Sequence, residues 1–132
     1  MTYPATTALY AALLALLYMG LAGWVMARRL STDVIHGDND DPVLFKRIRS
    51  HANFGEYVPL ALILVALLEA GGGSPVLVEG LLIVLLIGRV LHPVGMLAPK
   101  NSPRQYACRG GGILATLAVM VVAAVALLLR AS

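Results

Sequence analysis

The chain has little charge, few aromatic residues and a single cysteine. Only 13% of its 132 residues are Asp, Glu, Lys or Arg, about half the share of an ordinary soluble domain. Lone Cys108 excludes an internal disulfide, so the sequence implies no oxidising compartment, and any thiol chemistry needs a second thiol from elsewhere. No second His, Cys or acid falls at metal-ligand spacing around His92, so no metal is expected. The chain is basic, with 10 Lys and Arg against 7 Asp and Glu. These basic residues are few and sit beside apolar spans, so they read as topology and anion-binding signals and not as a nucleic-acid surface.

What the chain has is apolar length. Hydrophobic residues make up 59% of it and the mean hydropathy is +0.83, which places it in lipid. A spanning helix needs roughly 20 mainly apolar residues. The expected fold is all-α, one transmembrane four-helix bundle over residues 1–132, with helices at about 8–27, 42–70, 76–97 and 103–129. The first apolar stretch has no basic residue before it and ends in Arg28 and Arg29, the reverse of a signal peptide's basic start, so it is expected to be retained. The polar segment from Ser31 to Asp41 is the first loop, and Asp41-Pro42 and Ser102-Pro103 are capping pairs that open helices 2 and 4. The Gly71-Gly72-Gly73-Ser74-Pro75 run stops helix 2. Arg130 is placed to reach the far headgroups. Eight of the ten basic residues flank loops one and three (Arg28, Arg29, Lys46, Arg47, Arg49, Lys100, Arg104 and Arg109). The positive-inside bias then puts those loops in the cytoplasm and both termini on the other side.

The segment from Arg49 to Tyr57 carries the chemistry. Arg49, Asn53, Glu56 and Tyr57 fall at i, i+4, i+7 and i+8, one helix face. Ionisable groups near hydrocarbon are costly and point into a bundle or a wet cavity. On helix 3, Arg89, His92 and Met96 fall at i, i+3 and i+7, and Arg104 and Arg109 come from the start of helix 4. With Arg28 and Arg29 these predict an arginine-rich pocket with Glu56 as its acid, suited to an anionic ligand that also carries an ammonium. Glutathione fits: arginine forks for its carboxylates, Glu56 for its amino group and Asn53 for its amides. A guanidinium near the sulfur in a low-dielectric site favours the thiolate, the nucleophilic form.

The motif Arg49-x-His51-x-Asn53-x-x-Glu56-Tyr57-x-Pro59-Leu60, with Gly88-Arg89-x-x-His92 and Arg109-Gly110-Gly111, resembles the MAPEG family, the membrane-associated proteins of eicosanoid and glutathione metabolism. The resemblance covers essentially the whole chain and is nearest to the short bacterial members, which implies a bacterial inner membrane. It implies a homotrimer with glutathione, as co-substrate, bound between subunits, and a lipophilic second substrate entering from the lipid. Arg49, Asn53, Glu56 and Tyr57 match glutathione-binding positions, with Arg89 and His92 on helix 3 in support. Arg109 matches the arginine that stabilises the thiolate, with Arg104 as the alternative by loop length. Arg28 or Arg29 resembles an arginine that acts on the second substrate, although by position both are ordinary positive-inside residues. Met96 stands where several eicosanoid-processing members have a tyrosine.

The expected activity is therefore that of a glutathione transferase or glutathione peroxidase. Two other readings remain at this point: a membrane protein that binds glutathione or another anion without turnover, and a small multidrug-type transporter. The transporter needs a proton-carrying acid at mid-bilayer, and helix 1 has none. Gly110-Gly111-Gly112 reads as close helix packing.

Overall fold

The computed structural model describes residues 2–131. Four helices follow one another in the order α1 (Ala5–Thr32), α2 (Pro42–Ala70), α3 (Pro75–Leu97) and α4 (Gly111–Ala131), with a π-helical turn at Gln105–Gly110 leading into α4. Each is long and apolar enough to cross a membrane, the fourth span being Gln105–Arg130. Among the described residues there is no strand.

Helix α1 is longer than expected at both ends, and each extension has a local cause. At its start the Glu69 carboxylate, from the end of α2, accepts from the Thr6 and Thr7 N–H groups at 2.9 and 2.8 Å and from the Thr7 hydroxyl at 2.6 Å. A remote acid thus satisfies N–H groups that have no intrahelical partner, and the helix begins at Ala5 instead of near Ala8. At its end the Ser31 and Thr32 hydroxyls donate back to the Arg28 carbonyl. The helix therefore runs through residues expected in the loop, until Asp33 turns left-handed at φ 52° and donates to the Arg29 carbonyl.

Helix α2 starts where its sequence places it. Asp41 Oδ1 accepts from the N–H groups of Val43 and Leu44, and Pro42 occupies the first helical position. At ~1.5 Å per residue its 29 residues span about 44 Å, more than a hydrocarbon core of roughly 30 Å, so the helix is longer than a span needs. Both α2 and α3 continue through their prolines, Pro59 and Pro93. In the glycine turn, Gly73 donates to the Leu68 carbonyl and Gly72 sits at φ 78°. A Cβ on Gly73 would come within 2.7 Å of the Leu68 carbonyl oxygen, so the turn is closed to larger residues. Arg130, exposed at the end of α4, donates to the Gly71 carbonyl at 2.7 Å. An orphan carbonyl at a helix end is a better acceptor than no partner at all.

Leu14, Phe54, Val58, Ala61, Val65, Val78, Leu82, Leu85, Val119 and Ala123 form the core. Lipid gives apolar helices no hydrophobic reason to associate, so close packing and polar contacts must do so. Between α1 and α2, aromatic contacts add to the hydrogen bonds of Glu69. Tyr18 stacks on His51 with centroids 4.3 Å apart and on Phe54 at 5.2 Å, and Arg47 lies 4.7 Å over the Trp24 ring while donating to the Trp24 carbonyl. Between α3 and α4 the contact is glycine on glycine: a Cβ on Gly112 would lie 2.6 Å from the Gly88 carbonyl oxygen. Of the expected glycine-packing run only Gly112 serves in this way, since Gly110 and Gly111 face open space.

The loop-one cap also carries an ion pair, Arg28 Nε to Asp41 Oδ2 at 2.8 Å. The hydrogen bond from Arg28 holds the Asp41 carboxyl below its ordinary pKa of 3.8, helped by the two backbone N–H groups and opposed by partial desolvation. A depressed pKa stabilises the fold above about 3.8, and that stabilisation is lost as pH falls through the folded-state value. Asp41→Ala is expected to lower the thermal midpoint in detergent at neutral pH. Circular dichroism melts of wild type and variant should converge as the pH is brought below 3.8.

Candidate functional site

The site is built around a buried guanidinium. Arg89, one turn before His92 on α3, is 1% exposed, and only its stem is apolar enough to belong in the core. Its Nη1 donates to Asn53 Oδ1 on α2 at 2.9 Å, and its Nη2 donates to the Gly112 carbonyl on α4 at 2.9 Å. One cation therefore ties together three helices. The Gly112 carbonyl is shared with the Thr116 hydroxyl, also at 2.9 Å. Because an amide nitrogen cannot accept, the oxygen of Asn53 must face Arg89, which leaves its NH2 donors free for the cavity.

That cavity, of about 140 Å³, is lined by Phe45, Arg49, Asn53, His92, Met96, Arg109 and Ile113. It thus unites five of the polar-pocket residues expected from the sequence, drawn from α2, α3 and the π turn. Arg49 and Arg109 are exposed, whereas His92 is 3% exposed. Among the described residues the Arg109 guanidinium has no hydrogen-bond partner, so its donors are available to a ligand. Glu56 stands outside this cavity and meets Arg49 at 3.5 Å, both side chains nearly half exposed. Tyr57 sits beside Asn53, Arg89 and Thr116 in a cleft with no room for water.

The other arginines go elsewhere. Arg29 donates from Nη1 to the carbonyls of Val34, Ile35 and Gly37, holding the first loop, and borders a separate cleft of about 300 Å³ with Met26, Leu30, Asp33, Val34 and Ile35. Arg28 is paired with Asp41. Arg104 is exposed and does not line the cavity. A larger apolar groove of about 580 Å³ runs between α3 and α4 at the opposite end, bordered by Val76, Leu77, Gly80, Val84 and Val122, and has no charged residue in its wall. Among the described residues no three His, Cys, Asp or Glu come together as a metal site would need.

Sequence periodicity alone did not single out Phe45, Ile113 or Gly95. Phe45 lies one turn before Arg49 and so on the same face. Gly88 and Gly95 are seven apart on one face of α3, a spacing that marks a helix approached closely by its neighbour.

A cavity walled by two arginines, a carboxamide and a histidine, between α2, α3 and the start of α4, lies in a bundle of four helices that are each long and apolar enough to cross a membrane, which defines an integral membrane protein. The profile of the MAPEG family matches residues 7–129, and the chain belongs to that family. It is similar to the inner membrane protein YecN of Escherichia coli strain K12, 37% identical over 120 residues that cover 89% of this chain and 88% of the relative. YecN of Escherichia coli O6:H1 matches to the same extent. No solved structure matches the chain.

The geometry separates two kinds of contact. Asn53→Ala leaves a buried guanidinium short of an acceptor, which costs about 1–3 kcal/mol, toward the upper end for a charged donor. Glu56→Gln breaks only an exposed pair and should cost less than about 1 kcal/mol. Unfolding free energies in mixed micelles with increasing dodecyl sulfate check this difference.

Proposed function

We propose that the protein is a glutathione-dependent enzyme of the inner membrane, of the transferase or peroxidase type, acting on a lipophilic electrophile or hydroperoxide. The observation that carries this reading is the uncommitted Arg109 guanidinium in one cavity with Arg49, the free amide of Asn53 and His92. Membership of a family that includes glutathione enzymes supports it, and the inner membrane is the location in the name of its relative YecN. In this reading loops one and three face the cytoplasm, where glutathione is made available.

The residues fit the co-substrate. Arg49 offers a fork to a carboxylate, and Glu56, 3.5 Å from it, offers the countercharge for an ammonium. Asn53, held by Arg89, donates to a peptide carbonyl. Arg109 stands by the sulfur and favours the thiolate, while His92 donates or accepts a hydrogen bond in the wall. The thiolate attacks the electrophile, a carbon–sulfur bond forms and the displaced group leaves with the electron pair. With a hydroperoxide, the thiolate takes the distal oxygen, the alcohol leaves, and a second glutathione gives the disulfide and water.

A cavity of about 140 Å³ is smaller than the roughly 300 Å³ at which small-molecule sites begin. The tripeptide must therefore extend across the exposed Arg49 and Glu56 side, which supports the proposal that a second subunit of a homotrimer completes the site.

The test is glutathione binding by calorimetry with the thiolate absorbance recorded in parallel in detergent at pH 7. A free thiol of pKa about 8.5 is only about 3% ionised there, so a strong thiolate signal on binding supports the reading. Arg109→Ala should abolish most of that signal with binding retained. Arg49→Ala should weaken binding about tenfold or more, the value of one charge-assisted hydrogen bond. Binding without thiolate in the wild type would leave a binding protein and no enzyme of this kind, and absence of binding would sink the glutathione reading.

A further inference from the structure

Arg109 stands on an unusual piece of backbone. The turn Gln105–Gly110 is π-helical, and the Gly111 N–H is shared among the carbonyls of Tyr106, Ala107 and Cys108. The bond to Tyr106 is the five-residue step that defines a π turn. Such a turn holds one more residue than an α-helical turn would, so it re-aims every side chain on it relative to α4.

The turn packs against α3, and Gly95 is where the two backbones come very close. A Cβ on Gly95 would collide with the Arg109 backbone nitrogen and lie 2.7 Å from its Cα and 2.8 Å from its Cβ. These are backbone atoms and the root of the side chain, which cannot rotate out of the way as a flexible tip can. One layer below, Gly88 and Gly112 make the same kind of approach, and the Gly112 carbonyl accepts from Arg89. The lower contact sets where α4 stands against α3. The upper contact sets where the Arg109 backbone stands against the cavity.

We infer that Gly95 and the π turn are a positioning device: together they place the Arg109 guanidinium in the cavity beside His92 and thereby set how far a bound thiol is ionised. The inference rests on the glutathione reading above and adds to it residues that touch no ligand. Of Gly95 and the turn, only Arg109 lines the cavity, so the effect of the other residues on the chemistry runs through Arg109.

The experiment compares wild type, Gly95→Ala, a deletion of exposed Ala107 that returns the turn to α-helical length, and Gly80→Ala, whose Cβ would enter open space. Each purified protein is titrated with glutathione, and the pH dependence of the bound thiolate absorbance is recorded. The alkylation rate of Cys108, the chain's single cysteine and a member of the turn, reports displacement of the turn without reference to glutathione. The expected result is a changed Cys108 rate in Gly95→Ala and in the deletion, with a thiolate titration moved up by a unit or more, so that less thiolate is present at neutral pH. Glutathione affinity should change less than threefold, and Gly80→Ala should match wild type. A moved turn with an unmoved thiolate titration overturns the inference, as does an unchanged Cys108 rate in Gly95→Ala. If Gly95→Ala does not fold, the deletion alone decides, because it adds no atom to the seam. A wild type that binds no glutathione, or forms no thiolate, overturns the glutathione reading and this inference with it, whereas a wild-type thiolate that survives both changes overturns the inference alone.

Discussion

The guanidinium of Arg89 is the constraint on which the rest of the site depends. A cation 1% exposed among membrane helices must find acceptors inside the protein, and it finds one on α2 and one on α4. Those two bonds decide which faces of the three helices meet. They also decide which way Asn53 presents its amide, because its oxygen is already taken. The polar wall of the cavity is therefore a consequence of how one buried charge is satisfied.

The glycine seam makes that arrangement possible. Arg89 reaches a backbone carbonyl of α4 only because Gly88 and Gly112 let the two backbones approach, and lipid offers no hydrophobic force that would bring them together otherwise. The opposite end of the bundle is tied by the same means: Glu69 satisfies the start of α1, and Arg130 satisfies the end of α2. The stacking of Tyr18 and the Arg47 cation over Trp24 join α1 to α2. Polar contacts at fixed points, with apolar residues filling the space between, are what separate this bundle from four independent spans.

The fold class was legible in the sequence, because hydropathy over spans of this length leaves few alternatives and the Asp41-Pro42 and Ser102-Pro103 caps are local signals. The helix 2 face was legible for the same reason, since the spacing of Arg49 and Asn53 is a property of one helix. The site was legible only in part. The depth of Arg89 was not, because burial depends on which neighbour stands where. Glu56 shares its face with Arg49 yet lies outside the cavity wall, a difference of one turn at the rim that periodicity cannot resolve. The roles of Arg29 and Arg130 were set by loop carbonyls whose positions follow from backbone turns. The π turn, which separates Arg109 from Arg104 as the arginine of the cavity, has no periodic signature in the sequence.

The most direct test of this account is a double-mutant cycle between Arg89→Met and Asn53→Leu, read as unfolding free energy in mixed micelles. If the buried bond between the two residues organises the bundle, the single changes are strongly non-additive, with a coupling of about 1.5–3 kcal/mol, because the double change removes donor and acceptor together. Additivity to within about 0.5 kcal/mol would mean that the two side chains stabilise the helices independently, and the cavity would then lack the anchor assigned to it here.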